Sequence, residues 1–129
     1  MILKLYKQFE DIANNEYSEI IDKTEIIYSH TGRARKLRFE LIDSTYIDIF
    51  YSAENNYSLH WEQNNVRNTI YRHDNAPHKK WSNIKTFPKH CHDGDQSNVT
   101  ESNLPDNPDA ALRVFLTFVR KEIIEQKHK

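Results

Sequence analysis

The sequence predicts an α+β domain in which an antiparallel β-meander of four to five strands packs against an N-terminal and a C-terminal helix. Apolar residues recur every three or four positions near both ends of the chain, the period of a helix face. The middle consists of short segments that alternate apolar and polar residues and are broken by turn formers, the period of strands. A length of 129 residues suits one hydrophobic core and is too short for two, so residues 1–129 are expected to form a single domain.

The first helix is expected over residues 2–15, where Ile2, Leu5, Phe9 and Ile12 form one apolar stripe and Lys4, Lys7, Glu10 and Asp11 fall outside it. Strands follow at roughly 20–29, 35–43, 46–53 and 57–63, with a fifth at 66–73. Their registers can be tested against one another, because a one-residue slip moves every side chain to the other face. A two-residue turn at Thr31-Gly32 sets Ile26 opposite Leu37 on one face, with Glu25 opposite Arg38 and Lys23 opposite Glu40 on the other. Three-residue turns at Asp43-Ser44-Thr45 and Glu54-Asn55-Asn56 set Phe39 beside Ile49, Leu41 beside Ile47, Tyr51 beside Leu59 and Ile49 beside Trp61. A turn at Asn64-Asn65 sets Leu59 beside Ile70. One face is then continuously apolar, and both helices are expected to cover it.

The opposite face carries two rows, Arg38, Phe50, His60, Thr69 and Glu40, Asp48, Glu62, Arg67. The three carboxylates of the second row read as a solvated face offset by Lys23 and Arg67, with a cation site as the sharper alternative. Residues 74–105, interrupted by Pro77, Pro88, Gly94 and Pro105, read as one long loop of a kind that is functional or disordered. Asn107 and Pro108 then have the form of an N-cap and a first helical residue. They open a closing helix near 108–126 with a stripe of Leu112, Phe115, Leu116, Val119 and Ile123. Val114 and Phe118 widen that stripe, which indicates deeper burial or a surface for another chain.

Composition narrows the function. A net charge of −1 and a pI near 6.6 lack the whole-surface basic signature of nucleic-acid proteins, so any RNA or DNA contact must be local. Cys91 is the single cysteine and cannot form an internal disulfide. There is no apolar run of about 18 residues and no signal pattern, so a cytoplasmic protein away from membranes is expected. Two glycines cannot assemble a phosphate loop, a nucleophile elbow or a dinucleotide fingerprint.

The residues with chemistry to offer lie between His60 and Gly94. Alternation points His60 to the polar face near Glu62, either as an ordinary half-exposed histidine or as a proton-transfer group. In the run from Arg72 to His78, Asp74, Asn75 and Pro77 suffice to end a strand, and Arg72 and His78 exceed what a turn needs. Arg72 shares the parity of Ile70 and so points toward the apolar side, where its guanidinium needs Asp74, another carboxylate or a bound anion. His90 and His92 flank Cys91 and project to one side of an extended chain, where Asp74, His78 or Asp93 would complete a transition-metal site. The alternative chemistry needs no cofactor and no metal. His78, His90, His92 and His60 would exchange protons with a ribose hydroxyl and a leaving oxygen, while Arg72, Asp74, Asn75, Lys79 and Lys89 bind the RNA and steady the crowded phosphorane. Trp81 and Phe87 offer surfaces on which bases could stack. The plain alternative is a solvated charge run whose two aromatics anchor the loop.

The runs Tyr57-Ser58-Leu59-His60-Trp61, Arg72-His73-Asp74-Asn75-Ala76-Pro77-His78 and Phe87-Pro88-Lys89-His90-Cys91-His92-Asp93-Gly94 together resemble the TumE family of toxins from prokaryotic toxin–antitoxin pairs. Members of that family show a Tyr-Ser-x-His-Trp strand, then Asp-Asn-Ala-Pro-His-His, then Phe-Pro-His-His-x-His-x-Gly. The likeness is specific over residues 57–94 and general elsewhere. Lys79 and Lys89 stand where the family usually has histidines, which weakens a metal reading that would use every one of them. The resemblance implies a small cytoplasmic type II toxin, encoded beside a DNA-binding antitoxin with a winged-helix fold. Analogy with other small toxins adds a ribonuclease working through the histidine–arginine cluster. The alternatives are a non-catalytic module that occupies RNA or a protein, and a metal-binding nuclease. In the lead reading His78, His90 and His92 converge with Arg72 in one cleft at the edge of the sheet.

Overall fold

Strand periodicity extends further along the chain than alternation of apolar residues reveals. The computed structural model describes residues 2–127, with helix α1 (Ile2–Glu16), a single helical turn α2 (Asn64–Arg67) and helix α3 (Pro108–Lys127). Between them run strands β1 (Ile21–Tyr28), β2 (Ala34–Leu41), β3 (Tyr46–Tyr51), β4 (Tyr57–Glu62), β5 (Ile70–Asp74), β6 (His90–Gly94) and β7 (Val99–Glu101). All pair antiparallel, side by side in chain order, in one seven-stranded sheet. The α+β meander is therefore larger than the expected four to five strands. The segment read as a loop over 74–105 contains β6 and β7, and a short 3₁₀ turn at Lys79–Trp81. Strand β6 escapes a hydrophobic pattern because its inward and outward positions are His90, Cys91 and His92, all buried.

Both long helices lie on the apolar face. Leu37, Phe39, Ile47, Ile49 and Leu59 are fully buried there beneath Tyr6 and Phe9 of α1 and Leu112, Phe115 and Leu116 of α3. Each such side chain contributes on the order of 1.5–3 kcal/mol by leaving water. The helices also hold each other. Tyr17 just after α1 donates to the Arg113 carbonyl at 3.0 Å, and Arg113 grips Glu16 with two bonds of 2.9 Å. Asn107 caps α3 by accepting the Ala110 amide at 3.0 Å, directly ahead of Pro108. Phe118 stacks on Tyr71 with ring centres 4.3 Å apart, whereas Val114 stays half exposed.

The registers show how turn chemistry sets pairing. Ile26 faces Leu37, Glu25 faces Arg38 and Lys23 faces Glu40, as expected, but by a different route. The turn spans three residues, His30-Thr31-Gly32, with Gly32 at φ 87°, and an irregularity between Ile27 and Tyr28 restores the register. In the next two hairpins the loops are Ile42-Asp43-Ser44 and Ala53-Glu54-Asn55, each one residue earlier than expected. Ser44 (φ 72°) and Asn55 (φ 66°) supply the left-handed residue that closes such a turn. The partners are therefore Leu37 with Ile49, Phe39 with Ile47, Ile47 with Trp61 and Ile49 with Leu59. An even slip leaves every side chain on its expected face.

The β4–β5 connection departs by an odd number and inverts a face. Residues Asn64–Arg67 wind into a helical turn, so Leu59 pairs with His73 rather than with Ile70. Tyr71 and His73 face the core, and Arg72 lies on the polar side opposite His60. Burying an aromatic there and leaving the guanidinium outside avoids an ion-desolvation penalty of several kcal/mol. The polar row therefore reads Arg38, Asp48, His60, Arg72, His92.

Trp61 is anchored by one polar contact. Its indole Nε1 donates to Thr45 Oγ1 at 2.8 Å, and that hydroxyl donates in turn to Asp43 at 2.6 Å. Thr45→Val preserves shape but orphans a buried indole N–H, and is expected to lower the stability measured by urea denaturation by about 1–3 kcal/mol.

Candidate functional site

Alternation along β5 and β6 places Arg72, Asp74, His90 and His92 on the helix-free face. Arg72 pairs with His92 and Asp74 with His90. The Asp74 carboxylate is the centre of this group. Its Oδ1 accepts the Ala76 amide at 3.0 Å, an Asx turn that ends the strand, and its Oδ2 accepts Arg72 Nε at 2.9 Å. A second guanidinium nitrogen of Arg72 donates to Gln96 Oε1 at 2.7 Å. His90 Nδ1 lies 2.8 Å from the Pro88 carbonyl, and His92 Nδ1 lies 2.9 Å from the Gln96 carbonyl. A carbonyl oxygen only accepts, so both Nδ1 atoms carry the hydrogen and both Nε2 atoms of the neutral rings present lone pairs. Those lone pairs turn toward Asp74, at 3.1 Å from Oδ1 for His90 and 3.7 Å from Oδ2 for His92. Burial, reinforced by the Arg72 charge, holds the His92 imidazole below its ordinary pKa.

In front of this group lies a groove of about 540 Å³, lined by Tyr57, Arg72, Asp74, His78, Trp81 and His92 among others. Pro77 ends the extended segment, and the 3₁₀ turn that follows brings Trp81 back over β6, edge-on to His92 with ring centres 6.2 Å apart. His78, Lys79 and Lys80 are exposed along this rim. The groove lies over β4, β5 and β6 rather than at the sheet edge, because β7 continues the sheet beyond β6.

The family model described as Toxin TumE matches residues 8–123, nearly the whole chain and all of the groove. The chain belongs to the TumE toxin family. No curated protein and no solved structure matches it. Among the described residues no helix is long and apolar enough to cross a membrane.

This TumE toxin gathers some of the residues singled out from the sequence and separates others. Arg72, Asp74, Asn75, His78 and His92 line the groove, and His90 is sealed behind Asp74 at 1 % exposure. Asn75 also serves as a strut, accepting the Tyr57 amide and donating to the Asn55 carbonyl. His60 stands opposite Arg72 but turns to Glu62 at 3.1 Å. Lys79 is exposed on the rim, whereas Lys89 donates to the Leu104 carbonyl and Asp106, tying β6 to the approach to α3. His73 faces the core between Tyr71 and Ser102, and burial pushes its imidazole down to about 4. Cys91 lies on that same side, its thiol pushed up to about 11 by burial and therefore unreactive. Gln96 went unnoticed in the sequence although it holds both Arg72 and His92. It sits in a polar turn whose composition signals nothing more than a turn.

The three carboxylates expected in one row are not together: Asp48 sits between Arg38 and His60, whereas Glu40 and Glu62 lie on either side of Tyr46, and Asp48 is paired rather than free. Asp48 accepts two bonds from Arg38, at 2.7 and 2.9 Å, and one from Lys36 at 3.0 Å. Burial alone would raise its pKa, but those cations outweigh burial and hold it below the usual carboxylate value. Asp48→Asn is expected to cost about 1–2 kcal/mol at neutral pH in denaturant unfolding. A depressed folded-state pKa stabilises above the unfolded value and stops doing so as pH falls through the folded one. The difference between wild type and Asp48→Asn should therefore be flat above about pH 5 and shrink below about pH 4.

Proposed function

We propose that this TumE toxin arrests growth by cleaving RNA in the groove beside β5 and β6. The observation that supports the reading is the convergence of an exposed imidazole, His78, a tethered guanidinium, Arg72, and a half-exposed indole, Trp81, around one cavity. Those are the three demands of the reaction: a proton carrier, a cation for the developing phosphorane charge and a platform for a base. Two of the five N–H groups of Arg72 hold Asp74 and Gln96, which orients the guanidinium and leaves the others for phosphate oxygens. His90 is too buried to touch a nucleotide and acts through its neighbours. The near-neutral total charge suits a local contact with RNA rather than binding over the whole surface. The partner in this reading is a DNA-binding antitoxin from a neighbouring gene, which keeps the toxin silent until it is lost.

Purified wild-type protein is expected to shorten RNA in vitro. His78→Ala should reduce the cleavage rate by roughly 10²–10⁴-fold and relieve growth inhibition, with the circular dichroism spectrum unchanged. Arg72→Lys should also impair cleavage, because an ammonium cannot reproduce a bidentate hold on phosphate. Wild-type protein that arrests growth, binds RNA and leaves it intact would replace this reading with a non-catalytic binding module.

A further inference from the structure

We infer that Asp74, His90 and His92 form a binding site for one divalent transition-metal ion of the zinc type, opening into the groove. The site stands independently of RNA cleavage and deepens that reading by naming what the groove wall carries.

Three observations converge. The first is the direction of the lone pairs. Each imidazole gives its Nδ1 hydrogen to a backbone carbonyl, Pro88 for His90 and Gln96 for His92, so both rings are locked with Nε2 toward the same carboxylate. An outer hydrogen bond to one ring nitrogen with the other left free is the arrangement that orients histidine as a ligand. The carboxylate is supported in the same way, through Ala76 and Arg72.

The second is an unmet group. His90 Nε2 is fully buried and has no hydrogen-bond partner, although Asp74 Oδ1 lies 3.1 Å away. Distance is satisfied and alignment is not, so the contact is not an N–H···O bond. A lone pair facing a carboxylate out of water is unfavourable, and a buried polar atom without a partner is destabilising. A cation between the two removes both penalties.

The third is fit. The three ligand atoms lie within 4.8 Å of one another, the one such group of histidine, cysteine and carboxylate side chains found among the described residues. Bonds of about 2.0–2.2 Å to nitrogen and oxygen put tetrahedral neighbours roughly 3.4 Å apart. The 3.1 and 3.7 Å separations from Asp74 already bracket that value. Two imidazoles and one carboxylate suit zinc and other first-row ions better than magnesium or calcium, which favour all-oxygen ligands. Cys91 points to the opposite face and offers no thiolate. Asp74 and His92 line the groove while His90 is sealed behind them, so an ion held by the three would be reached from the groove. Each Asp74 oxygen has one hydrogen-bond donor, the Ala76 amide on Oδ1 and Arg72 on Oδ2, and each keeps a further lone pair on the side of the imidazoles, Oδ1 toward His90 and Oδ2 toward His92.

The full-length protein, stripped with EDTA and dialysed, should bind one Zn²⁺ per chain by calorimetry and develop visible ligand-field bands with Co²⁺. Zn²⁺ should also raise its melting temperature. Asp74→Asn and His92→Ala should each weaken Zn²⁺ at least about 100-fold, while His30→Ala, a change at an exposed histidine, should leave it unaltered. X-ray absorption of the wild-type zinc form should report two imidazoles and one carboxylate, a readout that needs no folded variant. No stoichiometric uptake, or uptake indifferent to both substitutions, overturns the site. Stoichiometric Zn²⁺ without RNA cleavage overturns the proposed activity and leaves the metal site standing. Cleavage unaffected by EDTA with no Zn²⁺ uptake does the reverse.

Discussion

The register of β5 against β6 is the constraint on which the rest of the functional face depends. With Arg72 opposite His92 and Asp74 opposite His90, the guanidinium, the carboxylate and two imidazoles lie on one side, and Tyr71, His73 and Cys91 lie on the other. A one-residue slip of β6 against β5 would turn the two imidazoles under α3 and leave Asp74 alone on the groove face. The core fixes the choice. Tyr71 is stacked on Phe118 and tilted against Phe115 at 5.6 Å, and His73 is bonded to Tyr71 and Ser102. At the strand ends Thr69 donates to the Gly94 carbonyl at 2.9 Å, and Gly94 takes a φ of 99° that side chains rarely adopt. Aromatic burial on one face thus positions a carboxylate on the other.

The outline of the fold was readable because its signals are physical and local. The period of α1, the Asn107–Pro108 start of α3 and the alternation of β2, β3 and β4 each follow from side chains that must be buried or capped. The faces of those strands were correct even where partners were misplaced by two, since parity survives an even slip. The site was less legible for the same reason. His90-Cys91-His92 reads as irregular when strands are recognised by apolar alternation, because here buried polar groups take the inward positions of both faces. The inverted face of β5 came from Asn64–Arg67, which winds into a helical turn with Asn68 in the left-handed region (φ 53°) where a two-residue turn was expected.

Electrostatics separates the site from the surface around it. Across β1 to β4 the polar face matches carboxylates with cations, Glu40 with Lys23 and Asp48 with Arg38 and Lys36. Such half-exposed pairs each contribute little and mainly keep like charges apart. Asp74 differs. One of its oxygens has a cation in Arg72, whereas the other has only a backbone amide and an imidazole whose hydrogen points away. The negative charge there is incompletely answered by the chain, at 8 % exposure for the whole residue.

The order of the strands has a consequence for how the protein is made. Because neighbours in the sheet are neighbours in the chain, each pairing closes through its own hairpin and the meander can grow as the polypeptide leaves the ribosome. Its apolar face does not share that schedule. Leu59, Trp61 and Tyr71 must wait for Leu112, Phe115 and Phe118, carried by the 20-residue helix that follows every strand in the chain. A nascent chain therefore passes through a stage in which the groove residues are already in line on a sheet whose other side is covered by α1 alone. In that interval the molecule is most exposed to chaperones, proteases and its own kind. Docking of α3 is what completes the cover over the apolar face.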